Sequence, residues 1–226
     1  MMLLKTTMSA KNLQRRIVAI TILWAVCVCA GIGFFAWYDV RSTSQSAAPD
    51  ELPATTQFVL PTEIPSVAMF LHPRCACSHA SLAEFAKLAR EFGNQATFRI
   101  IFFKPASVEL SWIEHDNLFA KAHTLASTLN NVHVSIDEGG KESERFHAEI
   151  SGFIVAYNAA GKLLYNGGIT GSRGHEGNNA GEAVLRKILH DIVRTSAMPR
   201  SSEFQYSSVI QSAIAPTFGC TLRPKQ

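Results

Sequence analysis

Two cysteines one residue apart, Cys75 and Cys77, lie in the stretch His72-Pro73-Arg74-Cys75-Ala76-Cys77-Ser78-His79. A thiolate is the attacking species in disulfide exchange and also a soft ligand for copper(I). The apolar run SVAMFL, Ser66–Leu71, reads as a buried strand that ends at His72-Pro73, because proline halts a hydrogen-bonded ladder. Beyond the cysteines, Phe85, Leu88, Ala89 and Phe92 recur at helical spacing. The dithiol therefore falls where a strand hands over to a helix N-terminus. Unpaired backbone N–H groups and the helix dipole favour an anion there, which predicts a lowered thiol pKa, and Arg74 adds a neighbouring positive charge. A structural cross-link elsewhere is the competing reading, but Pro, Arg and Ser crowded around two thiols are poor core material.

Three further features could join this site. Cys220, in Pro216-Thr217-Phe218-Gly219-Cys220, is a third thiol outside the apolar N-terminal run. It either folds back to resolve a bond made by Cys75 or Cys77, or is a buried or intermolecular cysteine. The loop GGITGSRGHEG, residues 167–177, holds five glycines in eleven residues and carries Arg173 and His175. Those two side chains could stabilise a thiolate, move a proton or ligate a metal, or the loop is a solvated surface turn. His72 and His79 bracket the cysteines, whereas His115, His123, His133, His147 and His190 form no ligand spacing.

The elements that must position these groups follow from periodicity. Ser78 is a candidate N-cap, Ser81 with Glu84 a candidate capping box, and Gly93-Asn94 a helix stop. Ala96–Phe103 reads as a strand, 114–129 as a helix with Leu118, Ala122 and Leu125 on one face, Val132–Ile136 as a short strand and Glu142–Ile150 as a short helix. Phe153–Tyr157 and Lys162–Tyr165 flank a Gly-ending turn and read as a hairpin. Residues 181–194 give a last amphipathic helix through Val184, Leu185, Ile188 and Ile192. Early alternation of strand and helix followed by a hairpin predicts an α/β sandwich with a parallel core and antiparallel strands at one side.

The front of the chain assigns a place. Residues 17–38 run 22 positions without a charge, long enough to cross a hydrocarbon core of about 30 Å, and end on Trp37-Tyr38. Lys5, Lys11, Arg15 and Arg16 precede them with no acidic residue. The positive-inside rule then predicts a single-pass signal anchor with its N-terminus cytoplasmic and the remainder periplasmic or extracellular; a cleaved signal peptide is the alternative. Cys27 and Cys29 lie mid-span and read as small packing residues. The Ser/Ala/Pro/Thr-rich stretch 42–56 reads as a tether. The expected organisation is thus a cytoplasmic tail over 1–16, an anchor over 17–38, a linker over 39–57, a folded domain over 58–195 and a tail over 196–226 carrying Cys220. A hydrophobic content of 47% excludes a disordered chain. Without the four leading cations, 17 basic face 18 acidic side chains, so the domain lacks the basic surplus of a nucleic-acid binder.

The stretch VAMFLHPRCACSHASLAEFAKL resembles the active-site segment of the thioredoxin superfamily, with Cys75 at the place of the attacking cysteine. HPRCACSHAS, GGITGSRGHEG and FGC together resemble a group of membrane-anchored RedB-like thioredoxin-fold proteins. The resemblance spans roughly residues 58–195 and implies a three-layer α/β/α sandwich behind one N-terminal transmembrane helix. Two departures matter. The family's second cysteine position is Ser78 here, with Cys77 one residue nearer; a Cys75–Cys77 bond would close a tight, readily reduced ring. The family's cis-proline place falls at Ser151-Gly152, which has no proline.

Two functions are expected from these residues. The first is a membrane-tethered extracytoplasmic thiol–disulfide oxidoreductase acting on a protein or small-molecule disulfide or thiol. In it Cys75 attacks, Cys77 or Cys220 resolves, Arg74 and the helix start at Ser78 lower the attacking pKa, and His175 serves as acid or base, with no cofactor. The alternative is a copper(I)-binding, metallochaperone-like module using Cys75, Cys77 and His175, with His72 or His79 as substitutes.

Overall fold

The computed structural model describes residues 10–41, 46–56, 63–114, 117–196 and 213–223. The expected tail over 1–16 and linker over 39–57 therefore lie partly outside the described residues, as does most of 196–226. Two units are distinct, residues 1–41 and 42–226. The first is helix α1, Ala10–Val40, and Lys11–Val40 is long and apolar enough to cross a membrane. The Thr21 hydroxyl donates to the Ile17 carbonyl at 3.0 Å, so this polar side chain is satisfied within the helix.

The second unit is built on one mixed sheet. Strands β1 (Ser66–Leu71), β2 (Thr97–Lys104), β3 (Val132–Glu138), β4 (Phe153–Tyr157), β5 (Leu163–Gly167) and β6 (Ala213–Ile214) lie in the order β3-β2-β1-β4-β5-β6. β1, β2 and β3 are parallel; β4 runs antiparallel to both β1 and β5. The helices are α2 (Ser78–Phe92), α3 (Ser111–Glu114), α4 (Asn117–Thr128), α5 (Lys141–Arg145) and α6 (Ala180–Ser196). A parallel βαβ half joined to an antiparallel ββα half gives the thioredoxin-like fold that the resemblance implies.

Period-two alternation with both faces apolar buries the sheet twice over. Val67, Met69 and Leu71 of β1, with Phe98, Ile100 and Phe102 of β2, face a core closed by Phe85 and Leu88 of α2, Leu118 and Leu125 of α4, and Leu185 and Leu189 of α6. The intervening Ala68, Phe70, Ile101 and Phe103 face a second core with Phe146, Phe153 and Tyr157. Each fully buried Phe or Leu contributes about 1.5–3 kcal/mol. The second core is covered mainly by α5 with the chain just beyond it, by residues 48–52 and by Leu222, so that outer layer is thin.

Several local expectations change. Residues 46–56, read as tether, run along the hairpin: Leu52 N–H donates to Gly161 O, Leu163 N–H to Asp50 O, and the Tyr157 hydroxyl to Pro49 O at 2.9 Å. Cys77 rather than Ser78 is the residue before the first helical turn of α2, and Ser81 with Glu84 forms no capping box. Glu84 is buried and instead accepts from Gly177 N–H at 2.6 Å and Lys87 at 2.8 Å. The expected helix over Glu142–Ile150 stops at Arg145, because His147 adopts φ 53° and the chain turns toward a pairing made by Ile150. In α6 the buried stripe is Leu185, Leu189 and Ile192, with Ile188 partly buried; Val184 sits beside the stripe at 40% exposure.

Gly181 offers a test in which two effects oppose. Alanine is favoured over glycine in a helix by about 1 kcal/mol. A Cβ at Gly181, however, would lie 2.2 Å from the carbonyl oxygen of Gly168, a backbone atom that also accepts the buried Tyr165 hydroxyl. Overpacking against backbone costs about 1–3 kcal/mol, so steric cost outweighs propensity. Gly181→Ala is expected to lower the denaturation midpoint of the detergent-solubilised chain; a raised midpoint would contradict this close approach.

Candidate active site

Cys75 sits just beyond β1, in a turn closed by Cys75 N–H to His72 O at 3.2 Å and Ser78 N–H to Cys75 O at 3.0 Å. The turn delivers it to the start of α2, and its residue is only 2% exposed. The third thiol comes to it from 145 positions away. Cys220 Sγ lies 2.7 Å from Cys75 Sγ, and the sulfurs of Cys75, Cys77 and Cys220 all fall within 4.8 Å of one another. Exposure rises across the three, from buried Cys75 through intermediate Cys77 to exposed Cys220.

The tail that carries Cys220 is held along its length. Ala215 N–H donates to Asn166 O, and Gly167 and Gly168 leave room for residues 215–217, which a Cβ at either position would strike. Further on, Ser151 N–H donates to Cys220 O at 2.8 Å and Leu222 N–H to Glu149 O at 2.7 Å, with Ile150 and Thr221 paired antiparallel. Leu222 is buried in the second core. A Cβ at Gly219 would stand 2.0 Å from Ser151 O, so only glycine admits this approach. The Arg173 guanidinium donates to Gly219 O.

The surroundings favour a negative sulfur at Cys75. The hydrogen bond from Cys220 is the largest influence, and backbone N–H groups of Cys220 and Cys77 and the Ser78 hydroxyl act in the same sense. Burial opposes them, and the net effect brings the Cys75 thiol down to about 5. Its neighbours move the other way. The bond to Cys75, then burial, pushes Cys220 up, while burial and the Cys75 charge push Cys77 up. Arg173 is the cation that partly offsets both rises.

A polar chain supports this charge from behind. His72 N–H donates to Ser151 Oγ at 2.8 Å, Ser151 Oγ and Ser78 Oγ are 2.7 Å apart, and the Ser78 hydroxyl reaches the Cys75 sulfur. With Cys75 ionised, the chain takes one polarity: Ser151 donates to Ser78, and Ser78 donates to sulfur. Ser78, where the resemblance would put a second cysteine, thus serves as a hydrogen-bond donor to the thiolate.

The geometry sorts the expected residues. Cys75, Cys77, Ser78 and Cys220 converge. Arg74 turns away, its guanidinium 4.6 Å above the Trp112 ring and its Nη2 near the Trp112 carbonyl. The cation beside the thiols is Arg173, whose loop passes so close that a Cβ at Gly174 would lie 4.0 Å from the Cys77 Cα. His175 is exposed and its Nδ1 lies near Ser172 Oγ and Arg173 O; the sulfur group, among the described residues, comprises the three cysteines without it. His72 packs against Phe103 and Trp112, its Nδ1 accepts from Arg74 N–H, and burial lowers its pKa, with the Arg74 charge acting in the same sense. His79 lines a groove of about 600 Å³ between α2 and α4. Ser151 is the functional residue that sequence reasoning missed. Its only signal was its place just ahead of β4, where the resemblance would put a proline.

No family model matches the chain, and no curated protein matches it. Among solved structures it resembles an uncharacterized conserved protein from Geobacillus kaustophilus at 16% identity, covering 82% of this chain and 93% of that one, with a TM-score of 0.52. A hypothetical protein from Sinorhizobium meliloti 1021 is similar at 14% identity, covering 81% and 96%, also with a TM-score of 0.52. These likenesses concern the fold alone. A thioredoxin-like protein from Aeropyrum pernix overlaps less, at 14% identity over 58% of this chain and 79% of that one, with a TM-score of 0.39.

The sign of the Cys75 shift gives a direct test. A depressed pKa means that the thiolate is present above about 5 and is lost as pH falls through that value, whereas an ordinary thiol ionises near 8.5. Thiolate absorbance of the reduced chain near 240 nm is expected to show one step in the acid range that Cys75→Ser removes. Ser78→Ala, lacking a donor worth about 1.5–3 kcal/mol to a charged acceptor, should move that step upward by about 1–2 units. A step that ignores both substitutions would contradict the assignment.

Proposed function

We propose that this protein is a membrane-tethered thiol–disulfide oxidoreductase whose exchanging pair is Cys75 and Cys220. The observation that carries the reading is the 2.7 Å approach of their sulfurs at the start of α2, beside donors that hold one of them ionised. A disulfide requires about 2.05 Å between sulfurs, and this approach puts the two within direct bonding reach. Reduction returns Cys75 as a stabilised thiolate and Cys220 as a thiol. The low Cys75 pKa keeps the reduced form favourable and makes the oxidised form a competent oxidant. Cys77 is a third sulfur within reach, placed to exchange with either member of the pair. The C-x-C ring expected from the sequence is therefore secondary to a long-range pair.

The apolar α1 and the four cations before residue 17 support a single anchor with its N-terminus cytoplasmic and the folded unit outside, where disulfides persist. Three stretches carry the RedB-like resemblance, and they supply Cys75 and Cys77, Arg173, and Gly219-Cys220 respectively. Their convergence favours a shared role for them. The substrate class is an accessible protein or small-molecule thiol or disulfide.

A second reading rests on the three sulfurs within 4.8 Å, which could ligate copper(I) with Cys220 in the role expected of His175. At the zinc–thiolate length of about 2.3 Å, two thiolates on one ion stand roughly 4 Å apart in an open geometry. The 2.7 Å Cys75–Cys220 spacing would have to widen by more than 1 Å, so the dithiol reading fits better.

Reduction of a small aromatic disulfide by the full chain in detergent, with a regenerating dithiol, tests the reading. Cys75→Ser and Cys220→Ser are each expected to lower turnover by about a hundredfold or more, while Cys77→Ser costs less than about tenfold. Unchanged turnover in Cys75→Ser would remove the proposal.

A further inference from the structure

In the oxidised protein one of two bonded sulfurs must meet the external thiol, and the position of the attacking cysteine in the resemblance would give that task to Cys75. We infer that Cys220, on the C-terminal tail, is the sulfur that partners attack, and that Cys75 is the internal leaving sulfur beneath it. This inference rests on the proposed Cys75–Cys220 exchange and assigns its regiochemistry.

Access is the first argument. Cys75 is 2% exposed, enclosed by the His72–Ser78 turn and the tail, whereas Cys220 is exposed. Direction is the second. Thiolate attack on a disulfide proceeds in line, from the side of the target sulfur opposite its partner. An attack on Cys75 would have to reach a 2% exposed residue whose sulfur the Ser78 hydroxyl and the Cys77 backbone already contact. An attack on Cys220 meets an exposed residue. The leaving group is the third argument, since the sulfur better stabilised as a thiolate departs faster. The Cys77 N–H and the Ser78 hydroxyl, backed by Ser151, wait to receive charge on Cys75. Among the described residues no comparable donor set serves Cys220, whose thiol is pushed up by the same pairing.

The tail holds Cys220 in this pose. Residues 220–222 pair with Glu149–Ser151, Leu222 is anchored in the second core, and Arg173 binds Gly219 O. Cys220 is thus presented on a fixed edge, with Arg173 close enough to attract an approaching thiolate.

The step balances for an external dithiol. Its first thiolate forms a bond to Cys220 Sγ, the Cys75–Cys220 bond breaks, and Cys75 leaves with the electron pair as thiolate. The partner's second thiol, on losing its proton to solvent, then attacks the partner's own sulfur in the mixed disulfide and releases Cys220, which takes up a proton. The partner loses two electrons and becomes a disulfide, and the Cys75–Cys220 disulfide gains them.

The test uses the oxidised full chain in detergent, as wild type and as Cys77→Ser, mixed with excess glutathione, quenched in acid and mapped by mass spectrometry. Glutathione is expected on Cys220 in at least about tenfold excess over Cys75 in both proteins. Adducts mainly on Cys75, or a Cys75–Cys220 disulfide that yields no adduct on either sulfur, would overturn the inference. The former would leave the exchange reading standing. If the starting material contains no Cys75–Cys220 bond, the exchange reading falls together with this one.

Discussion

A sulfur anion held out of water at the end of a strand needs several donors at once, and much of the fold beyond the sheet is arranged to supply them. A buried charge left unpaired costs several kcal/mol, whereas each hydrogen bond to a charged group returns about 1.5–3. Cys75 draws its donors from the first residues of α2 and from the C-terminal tail, two parts of the chain that local sequence does not connect. The tail must therefore reach the mouth of the site, which it does over glycines 167, 168 and 219, where any side chain would collide with backbone. Burial and the Cys75 charge raise Cys77, and the bond to Cys75 with burial raises Cys220, so the three thiols differ in charge although they share one small space.

The parts of this arrangement that depend on local pattern were readable from the residues. Short continuous apolar runs placed β1, β2 and β4, helical spacing placed α2 and α6, and the junction between β1 and α2 placed Cys75 where an anion is favoured. Side chains pointing off a stripe were not readable: Val184 and Leu185 are both apolar, and only packing decides which one is covered. Proximity in sequence put Arg74 first as the cation at the thiols, with Arg173 of the glycine loop as a further candidate. In space Arg74 finds an aromatic face, and the cation at the thiols comes from the glycine loop.

The approach of Cys220 to Cys75 is the clearest case of information that spacing cannot carry. The residues left both Cys77 and Cys220 open as partners of Cys75, and a tail following the last predicted helix had no periodicity from which to infer a pose. What recruits the tail is backbone: the chain after α5 leaves the helix early, Ile150 takes a strand-like pairing with Thr221, and Ser151 accepts from His72 on one side while donating to Cys220 O on the other. Each of these is a main-chain or single-hydroxyl event that many sequences could provide. Residues 46–56 show the same effect, since a composition typical of linkers still supplies carbonyls and N–H groups that bind the hairpin.

The central claim is a pairing of sulfurs, and the connectivity of the oxidised protein tests it most directly. Digestion without reduction, at low pH to prevent reshuffling, followed by mass spectrometry, should join the peptide bearing Cys75 to the peptide bearing Cys220, with Cys77 left alkylatable. A bond between Cys75 and Cys77, with Cys220 free, would contradict the account.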